Sequence, residues 1–278
     1  MLSHRDVSLT DHSAHLVDVD GGPRTPLLLL HGGAVDHRMW QPQLSAFSDR
    51  RVIAPDARGH GSTADASGPY RLVDDVARLL DALEIAQVVI AGVSMGGGTA
   101  VDVALEYPER CTGLIVTGTG TSEPDFVDPW ALDAFETWNL AATEGNAQLW
   151  IDTFMRFTYG PHRTRADLDR DVVAHIEMMA QQTISEHVTL DDNGVPTPPI
   201  PPTPVTNTWA RVRHIIVPTL ALNGADDGPD HLSNARRLAQ NAPQGQYVEI
   251  AGAAHYPNLE RPAEYNELVR HFLDTNGI

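Results

Sequence analysis

One serine occupies a position where it could act as a nucleophile. Ser94 is the centre of the pentapeptide GVSMG, residues 92–96, which follows the β-branched run QVVIA and precedes an alanine-rich stretch. This is the G-x-S-x-G pattern with a predicted strand before it and a predicted helix after it. Glycine suits both ends of so sharp a turn because it has no Cβ to clash. The alternative, in which Ser94 only caps the helix, explains less of this context.

A serine nucleophile needs a general base and a carboxylate that orients the base. The chain has 13 histidines, so residue type cannot choose the base. Position favours His255, in the stretch AGAAHYP after a late predicted strand, because loops after parallel strands meet at one edge of a sheet. The stretch NGADD, residues 223–227, offers Asp226 and Asp227 after another predicted strand. The expected chain order is serine, acid, histidine.

Two backbone N–H groups are predicted to bind the oxyanion of the reaction. The tetrapeptide HGGA, residues 31–34, follows the apolar run TPLLLL, and its glycines let the backbone approach a substrate closely. We expect the N–H groups of Gly33 and Met95 to form the pair, the second at the N-terminus of the helix that follows Ser94. His31 is expected to brace this loop and not to act as the base.

The elements that position these residues are strands alternating with helices. An almost wholly apolar run such as 25–30 is typical of a strand buried on both faces. Apolar residues at helical spacing predict an amphipathic helix over 70–83. The predicted strands are 7–9, 14–19, 25–30, 51–56, 87–92, 111–118, 214–224 and 245–252, and the predicted helices are 70–83, 94–107, 231–240 and 262–274. This alternation predicts an α/β fold with a mostly parallel central sheet flanked by helices.

The interval 122–207 interrupts the alternation. It contains helical stretches and ends in a proline-rich linker at residues 195–204, which cannot continue a helix. We interpret the interval as a helical cap inserted into a core formed by residues 1–121 and 208–278. Its aromatic side chains either pack the cap on the core or line an apolar substrate pocket. The pocket candidates are Trp130, Trp138, Phe154 and Phe157.

No metal or cofactor site is expected from the sequence. The stretch DDNG, residues 191–194, lacks the later ligands of a calcium loop and predicts an Asn-Gly turn. The glycine run 96–98 falls at a predicted helix start, where small residues permit close packing on a strand. We therefore expect catalysis without a metal or an organic cofactor.

Composition restricts the partners and the compartment. The 278 residues carry a formal charge of −18, and all 19 residues counted as Lys+Arg are arginine. Nucleic acid and anionic membranes repel an acidic protein, so neither is an expected partner. Lysine nucleophiles are excluded. With one cysteine and no apolar leader in its first 20 residues, the chain is expected to be cytoplasmic, in an oligomeric state that the sequence does not determine.

Several stretches resemble the α/β-hydrolase superfamily: LLLLHGGAVDHRMW, VIAPDARGHGST, AGVSMGGGTA, VPTLALNGADD and AGAAHYPNLERPAEYNELVRHFL. The resemblance implies Ser94 as nucleophile and His255 as base. It favours Asp227 as the acid, three positions after the strand-ending Gly224, with Glu123 the first alternative if neither aspartate serves. Within the superfamily the chain is similar to small bacterial esterases, 3-oxoadipate enol-lactonases and cofactor-free haloperoxidases.

The expected activity is hydrolysis of an apolar carboxylic ester or lactone through an acyl-enzyme on Ser94. The same three residues would support hydrolytic C–C cleavage of a β-diketone or dienoate, so that activity stays open. A ligand-binding protein on a hydrolase scaffold also stays open, since a fold does not determine a function. HGGA differs from the HGGPG of proline iminopeptidases, which argues against a peptidase. A serine where dehalogenases and epoxide hydrolases carry aspartate argues against both.

Overall fold

Eight strands form the central sheet of the computed structural model, which describes residues 2–192 and 196–278. Its strands are β1 Leu2–Ser8, β2 Ser13–Val19, β3 Arg24–Leu30, β4 Arg50–Pro55, β5 Val88–Val93, β6 Cys111–Thr117, β9 Thr219–Gly224 and β10 Gly245–Ile250. A separate short pair is formed by β7 Thr189–Leu190 and β8 Pro196–Thr197. The sheet order is β1-β2-β4-β3-β5-β6-β9-β10. The strands β4, β3, β5, β6, β9 and β10 run parallel to one another, while β2 is antiparallel to both β1 and β4. The predicted mostly parallel sheet is confirmed.

Helices cover both faces of this sheet. They are α1 Gln41–Leu44, α2 Leu72–Ala82, α3 Met95–Glu106, α4 Pro129–Glu144, α5 Ala147–Tyr159, α6 Arg170–His187, α7 Thr208–Arg211, α8 Pro229–Asn241, α9 Pro257–Glu260 and α10 Pro262–Asn276. Leu27 and Leu29 of β3 belong to the cluster that holds the apolar side chains of α1 and α10. Leu28 and Leu30 belong to the cluster with those of α2, α3 and α8. Successive residues of one strand thus bury opposite faces, which explains the unbroken apolar run. Within the described ranges, no helix is long and apolar enough to cross a bilayer.

Two predicted strand boundaries are wrong for identifiable reasons. Strand β9 begins at Thr219 instead of 214, because Val212–His214 form a 3-10 helix and Pro218 has no N–H for a ladder hydrogen bond. Strand β1 begins at Leu2 instead of 7. It is an edge strand with side chains that are almost all exposed, so no buried alternating pattern marks it in the sequence.

The segment between β6 and β9 contains the helices α4, α5 and α6. Apolar side chains of α5 and α6, among them Phe154 and Ile176, join the cluster on one face of the sheet. The pair β7 and β8 was not predicted from the sequence. Residues 198–206 form neither helix nor strand, in line with their prolines, whereas the predicted Asn-Gly turn and residue 195 lie outside the described residues. The division into core and cap at 122 and 207 stays a prediction.

Candidate active site

Ser94 lies in a strained turn between β5 and α3. Its backbone angles are φ 54° and ψ −114°, in a region that residues with a side chain rarely adopt. The turn is held on both sides: the Ser94 N–H donates to the Thr117 carbonyl at 2.8 Å, and the Gly98 N–H donates to the Ser94 carbonyl at 2.9 Å. A strained serine at a strand end is the geometry of a nucleophile elbow, which exposes the hydroxyl above the sheet.

The glycines of the GVSMG turn are sterically required. A Cβ at Gly92 would lie 2.2 Å from the Gly96 carbonyl oxygen. A Cβ at Gly96 would lie 2.2 Å from the Leu30 carbonyl oxygen. Both distances are with backbone atoms, which cannot move aside as a flexible side chain could. The sequence-based reason for these glycines therefore holds at both ends of the turn.

His255 and Asp227 form a buried pair at the ends of neighbouring strands. Asp227 follows β9, and His255 follows β10, which pairs in parallel with β9. The Nδ1 atom of His255 lies 3.0 Å from Oδ2 and 3.2 Å from Oδ1 of Asp227. Both side chains are buried. When Nδ1–H of His255 donates to this carboxylate, Nε2 is left free to accept another proton.

Asp227 has two further hydrogen-bond donors. The Gly228 N–H lies 2.7 Å from Oδ1, and Nδ1 of His231 lies 2.9 Å from the same oxygen. Burial by itself raises the pKa of Asp227, but the imidazoles of His231 and His255 hold it well below its ordinary value. The acid is therefore a carboxylate throughout the neutral range. Sequence reasoning missed His231, although its place four residues after Asp227 at a helix start offered a signal.

The other two candidate acids lie elsewhere. The Asp226 carboxylate lies 3.7 Å from Nη1 of Arg163, and 39% of its side chain is exposed. Glu123 accepts hydrogen bonds from the backbone N–H groups of Asn207 and Thr208, at 3.2 and 2.6 Å. Glu123 thus fixes the start of α7. Of the three candidates, only Asp227 contacts His255.

The loop after β3 is braced by His31 and Asp56. His31 Nδ1 donates to the Gly32 carbonyl at 2.7 Å, and its Nε2 accepts from the Ala57 N–H at 2.9 Å. Asp56 accepts from the backbone N–H of His37 at 2.8 Å and from that of Ser62 at 3.0 Å. Burial opposes ionisation of Asp56, but the hydrogen bond from the His37 ring lowers its pKa to about 2. Both nitrogens of His31 are used in this loop, so it is not available as a base.

A cavity of about 400 Å³ lies over Ser94. Ser94, His255, Gly33 and Met95 all contribute to its wall. Its apolar side contains three of the four predicted aromatic residues and two that were not predicted: Trp138, Phe154, Phe157, Phe126 and Phe135. Trp130 is not among the described lining residues. Its ring packs edge-on against Phe157 with centroids 5.4 Å apart and contacts the position of Gly228.

The opposite side of the cavity is polar and contains a carboxyl group. Asp102 of α3 accepts a hydrogen bond from Ser122 Oγ at 2.7 Å, and Thr99 lies on the same wall. Burial raises the pKa of Asp102 to about 7, although the hydrogen bond from Ser122 opposes the change. No arginine lines the cavity in residues 2–192 and 196–278. Sequence reasoning did not single out Asp102, because a carboxylate on a helix is usually solvated.

The sheet order and the elbow agree with a comparison to known families. Residues 25–262 match the sequence model of the α/β hydrolase fold. The chain belongs to this family. The match spans the strand before the HGGA loop, the elbow, the strand before Asp227 and the loop of His255.

Relatives match nearly the whole length of the chain. The chain is 27% identical to 3-oxoadipate enol-lactonase 2 of Acinetobacter baylyi, over 88% of this chain and 87% of the relative. It is 29% identical to a 2-hydroxymuconate semialdehyde hydrolase of a Pseudomonas species, over 91% and 88%. A thermophilic esterase from Thermogutta terrifontis has a similar structure, with a TM-score of 0.71, 25% identity and 98% of each chain covered. The chain is thus an α/β-fold hydrolase, and its relatives are named for different substrates.

Proposed function

We propose that this protein is a serine hydrolase that cleaves a carboxylic ester or lactone through an acyl-enzyme on Ser94. The observation that carries the proposal is the buried Asp227–His255 pair, whose histidine lines the same cavity as the strained Ser94. A nucleophile, a base and an oriented carboxylate are the parts that acyl transfer needs. The similarity to an enol-lactonase and to an esterase supports the same bond type.

Acylation follows from the atoms at this site. Nε2 of His255 takes the Ser94 proton as Oγ attacks the carbonyl carbon, and a tetrahedral intermediate forms. The N–H groups of Gly33 and Met95 donate to its oxyanion, each contributing on the order of 3 kcal/mol. The C–O bond to the leaving group then breaks, and His255 returns the proton to that oxygen. Asp227 stays ionised and holds the imidazolium.

Deacylation repeats the same steps with water. His255 removes a proton from a water molecule, whose oxygen attacks the acyl carbon. The bond to Ser94 Oγ breaks, the serine recovers its proton from His255, and the carboxylic acid leaves. For a lactone, the leaving hydroxyl remains attached to the acyl group, so a single hydroxy acid is released.

The cavity wall supports an uncharged apolar acyl group as the substrate. Aromatic side chains from α4 and α5 form one side. A substrate with a free carboxylate would lie beside Asp102 with no arginine in the described lining to pair with it. Burying such an unpaired charge is costly. We therefore propose that neutral esters and lactones of medium size are preferred.

The test is a comparison of wild type with Ser94→Ala on a panel of p-nitrophenyl esters and neutral lactones. Wild type is expected to hydrolyse the esters with turnover and to be labelled by a fluorophosphonate. Ser94→Ala is expected to show neither. Hydrolysis by the purified variant near the wild-type rate would contradict the mechanism. A wild-type protein that is neither labelled nor active would favour a ligand-binding role on this scaffold.

A second candidate activity is hydrolytic C–C cleavage. It is supported by the 29% identity to a hydrolase named for 2-hydroxymuconate semialdehyde. The same panel extended with a β-diketone and a dienoate distinguishes the two activities. A kcat/KM for these compounds that exceeds the value for every ester would assign C–C cleavage as the principal reaction.

A further inference from the structure

Three histidines from separate segments meet at the β1 edge of the sheet. His4 lies on β1, His15 on β2, and His37 in the 3-10 helix His37–Trp40. The ring centroids are 5.8 Å apart for His4 and His15, 5.6 Å for His4 and His37, and 5.5 Å for His15 and His37. One nitrogen of each ring lies within 4.8 Å of the others. The three rings form what we call the imidazole cluster.

Strand register explains two members of the cluster. Asp6 of β1 pairs with His15 of β2, and His4 pairs with Val17. Because side chains alternate along a strand, His4, Asp6 and His15 lie on the same face of this hairpin. The three histidines are spread over residues 4 to 37, without the short ligand spacings of a known metal motif. The cluster therefore cannot be recognised from the sequence.

Two carboxylates orient two of the rings. Nδ1 of His15 lies 2.8 Å from Oδ1 of Asp6. Nδ1 of His37 lies 2.8 Å from Oδ1 of the buried Asp56. A proton held on Nδ1 leaves the lone pair on Nε2. Histidines that bind metals in proteins make this same contact, in which a carboxylate fixes the tautomer and increases the basicity of the ring.

We propose that His4, His15 and His37 bind one divalent transition-metal ion of the Zn²⁺ class. Three neutral imidazoles suit Zn²⁺, Cu²⁺ and Ni²⁺, and a fourth position is left for water. With Zn–N bonds of about 2.0–2.1 Å and tetrahedral angles, three imidazole centroids would lie about 5 Å apart. The centroids here are 5.5 to 5.8 Å apart and the ligand nitrogens lie within 4.8 Å of one another, so ion binding requires the rings to turn and move inward until these nitrogens converge on the ion.

Access and charge also favour a cation at this cluster. His4 is exposed and His15 is partly exposed, so an ion can enter from solvent, while His37 anchors the buried side. Asp6 and Asp56 add two carboxylates beside the rings, in a chain with a net charge of −18. The ion would join the edge strand β1 to β2 and to the segment that follows Gly33.

Calorimetric titration of tag-free, chelator-treated protein with Zn²⁺ tests the proposal. Wild type is expected to bind one ion per chain and to have a higher Tm in its presence, since a ligand of the native state stabilises it. His4→Ala is expected to abolish both effects. His4 is exposed on an edge strand, so its removal leaves the fold intact. His271→Ala, which removes an exposed histidine of α10, is the matched control and should bind as wild type does.

A milder variant tests the geometry itself. Asp6→Asn keeps all three rings but weakens the carboxylate contact, and Zn²⁺ affinity is expected to fall about 10–100-fold. Titration with Co²⁺ gives a second readout, because a four-coordinate site produces intense visible absorption and a six-coordinate ion does not. Unchanged affinity in both His4→Ala and Asp6→Asn would overturn the proposal, as would the absence of binding to wild type.

A competing site beside the cavity has to be separated from the imidazole cluster. Ligand atoms of Asp227, His231 and His255 also lie within 4.8 Å of one another. An ion bound there would occupy the proposed catalytic base. The His255→Ala variant is therefore expected to retain the Zn²⁺ site and the gain in Tm. Binding that is lost in His255→Ala and kept in His4→Ala would overturn the assignment, and neither result depends on the proposed hydrolysis.

Discussion

Gly118 lies directly against the imidazole of His255. A Cβ at Gly118 would be 2.6 Å from Cε1 and 2.9 Å from Nδ1 of that ring. Gly118 also has a φ of +69°, which disfavours any side chain. The residue follows β6, so a third strand end, besides those that carry Asp227 and His255, shapes the position of the proposed base. Space for the ring therefore depends on a residue that takes no part in the chemistry.

Gly118→Ala is expected to displace the His255 ring and to reduce kcat for ester hydrolysis by about 10²-fold, as a misplacement near 1 Å does. The measurement is kcat and KM on a p-nitrophenyl ester, with circular dichroism to show that the variant is folded. Gly68→Ala is the matched control, because a Cβ there meets nothing within 4 Å. A folded Gly118→Ala variant with wild-type kcat would show that a side chain at residue 118 does not disturb the His255 imidazole.

The two neighbouring aspartates are expected to differ sharply. Asp227→Asn should lower kcat by about 10⁴-fold, because an amide no longer selects the Nδ1–H tautomer of the base. Asp226→Asn should retain most of the activity, since this carboxylate contacts Arg163 at the surface. Steady-state kinetics of both variants on one ester are sufficient. The reverse ranking would identify Asp226 as the carboxylate that orients His255. Mild effects in both variants would indicate that this carboxylate lies outside the loop.

Two tryptophans of α4 offer a matched pair for substrate choice. Trp138 lines the cavity, whereas Trp130 packs beside it on Phe157. Trp138→Ala is expected to enlarge the cavity and to shift kcat/KM toward longer acyl chains by about 10-fold, the scale of one or two methylenes in an apolar pocket. Trp130→Ala is expected to lower stability and leave the preference unchanged. Equal proportional losses over all chain lengths in both variants would indicate packing alone.

The local pattern around Ser94 was predictable because its causes are local. Glycine spacing, a strand before the serine and a helix after it all follow from neighbouring residues. The strand ends that carry Asp227 and His255 were predictable because parallel strands share one edge. His231 and Asp102 were not, since their roles depend on which residues the fold brings beside them. The orientation of α4 also decides that Trp138 and not Trp130 meets the cavity.

The β1 edge of the sheet was harder to predict from the sequence than the turn around Ser94. Strand β1 has almost no buried side chains, so hydrophobic periodicity, the main signal for a strand, is absent. Its pairing with β2 is what brings His4 and Asp6 to His15. The imidazole cluster therefore depends on the part of the fold that the sequence predicts least well.

Asp102 is expected to make stability depend on pH. Its pKa is about 7 in the folded chain against an ordinary value of 3.8, because burial disfavours the charged form. Between these two values the folded state holds a proton that the unfolded chain has released. The free energy of unfolding therefore falls as the pH rises from about 4 to about 7, and the destabilisation is complete above pH 7.

Asp102→Asn removes this dependence, because an amide keeps an acceptor for Ser122 and does not ionise. At pH 8 the variant is expected to exceed wild type in the free energy of unfolding by up to about 4 kcal/mol, and at pH 4 the two should be nearly equal. Urea unfolding at several pH values measures the difference. Glu267→Gln, which removes an exposed negative charge, controls for the change in net charge. A constant difference between Asp102→Asn and wild type from pH 4 to pH 8 would show that Asp102 ionises in the folded protein as it does in water.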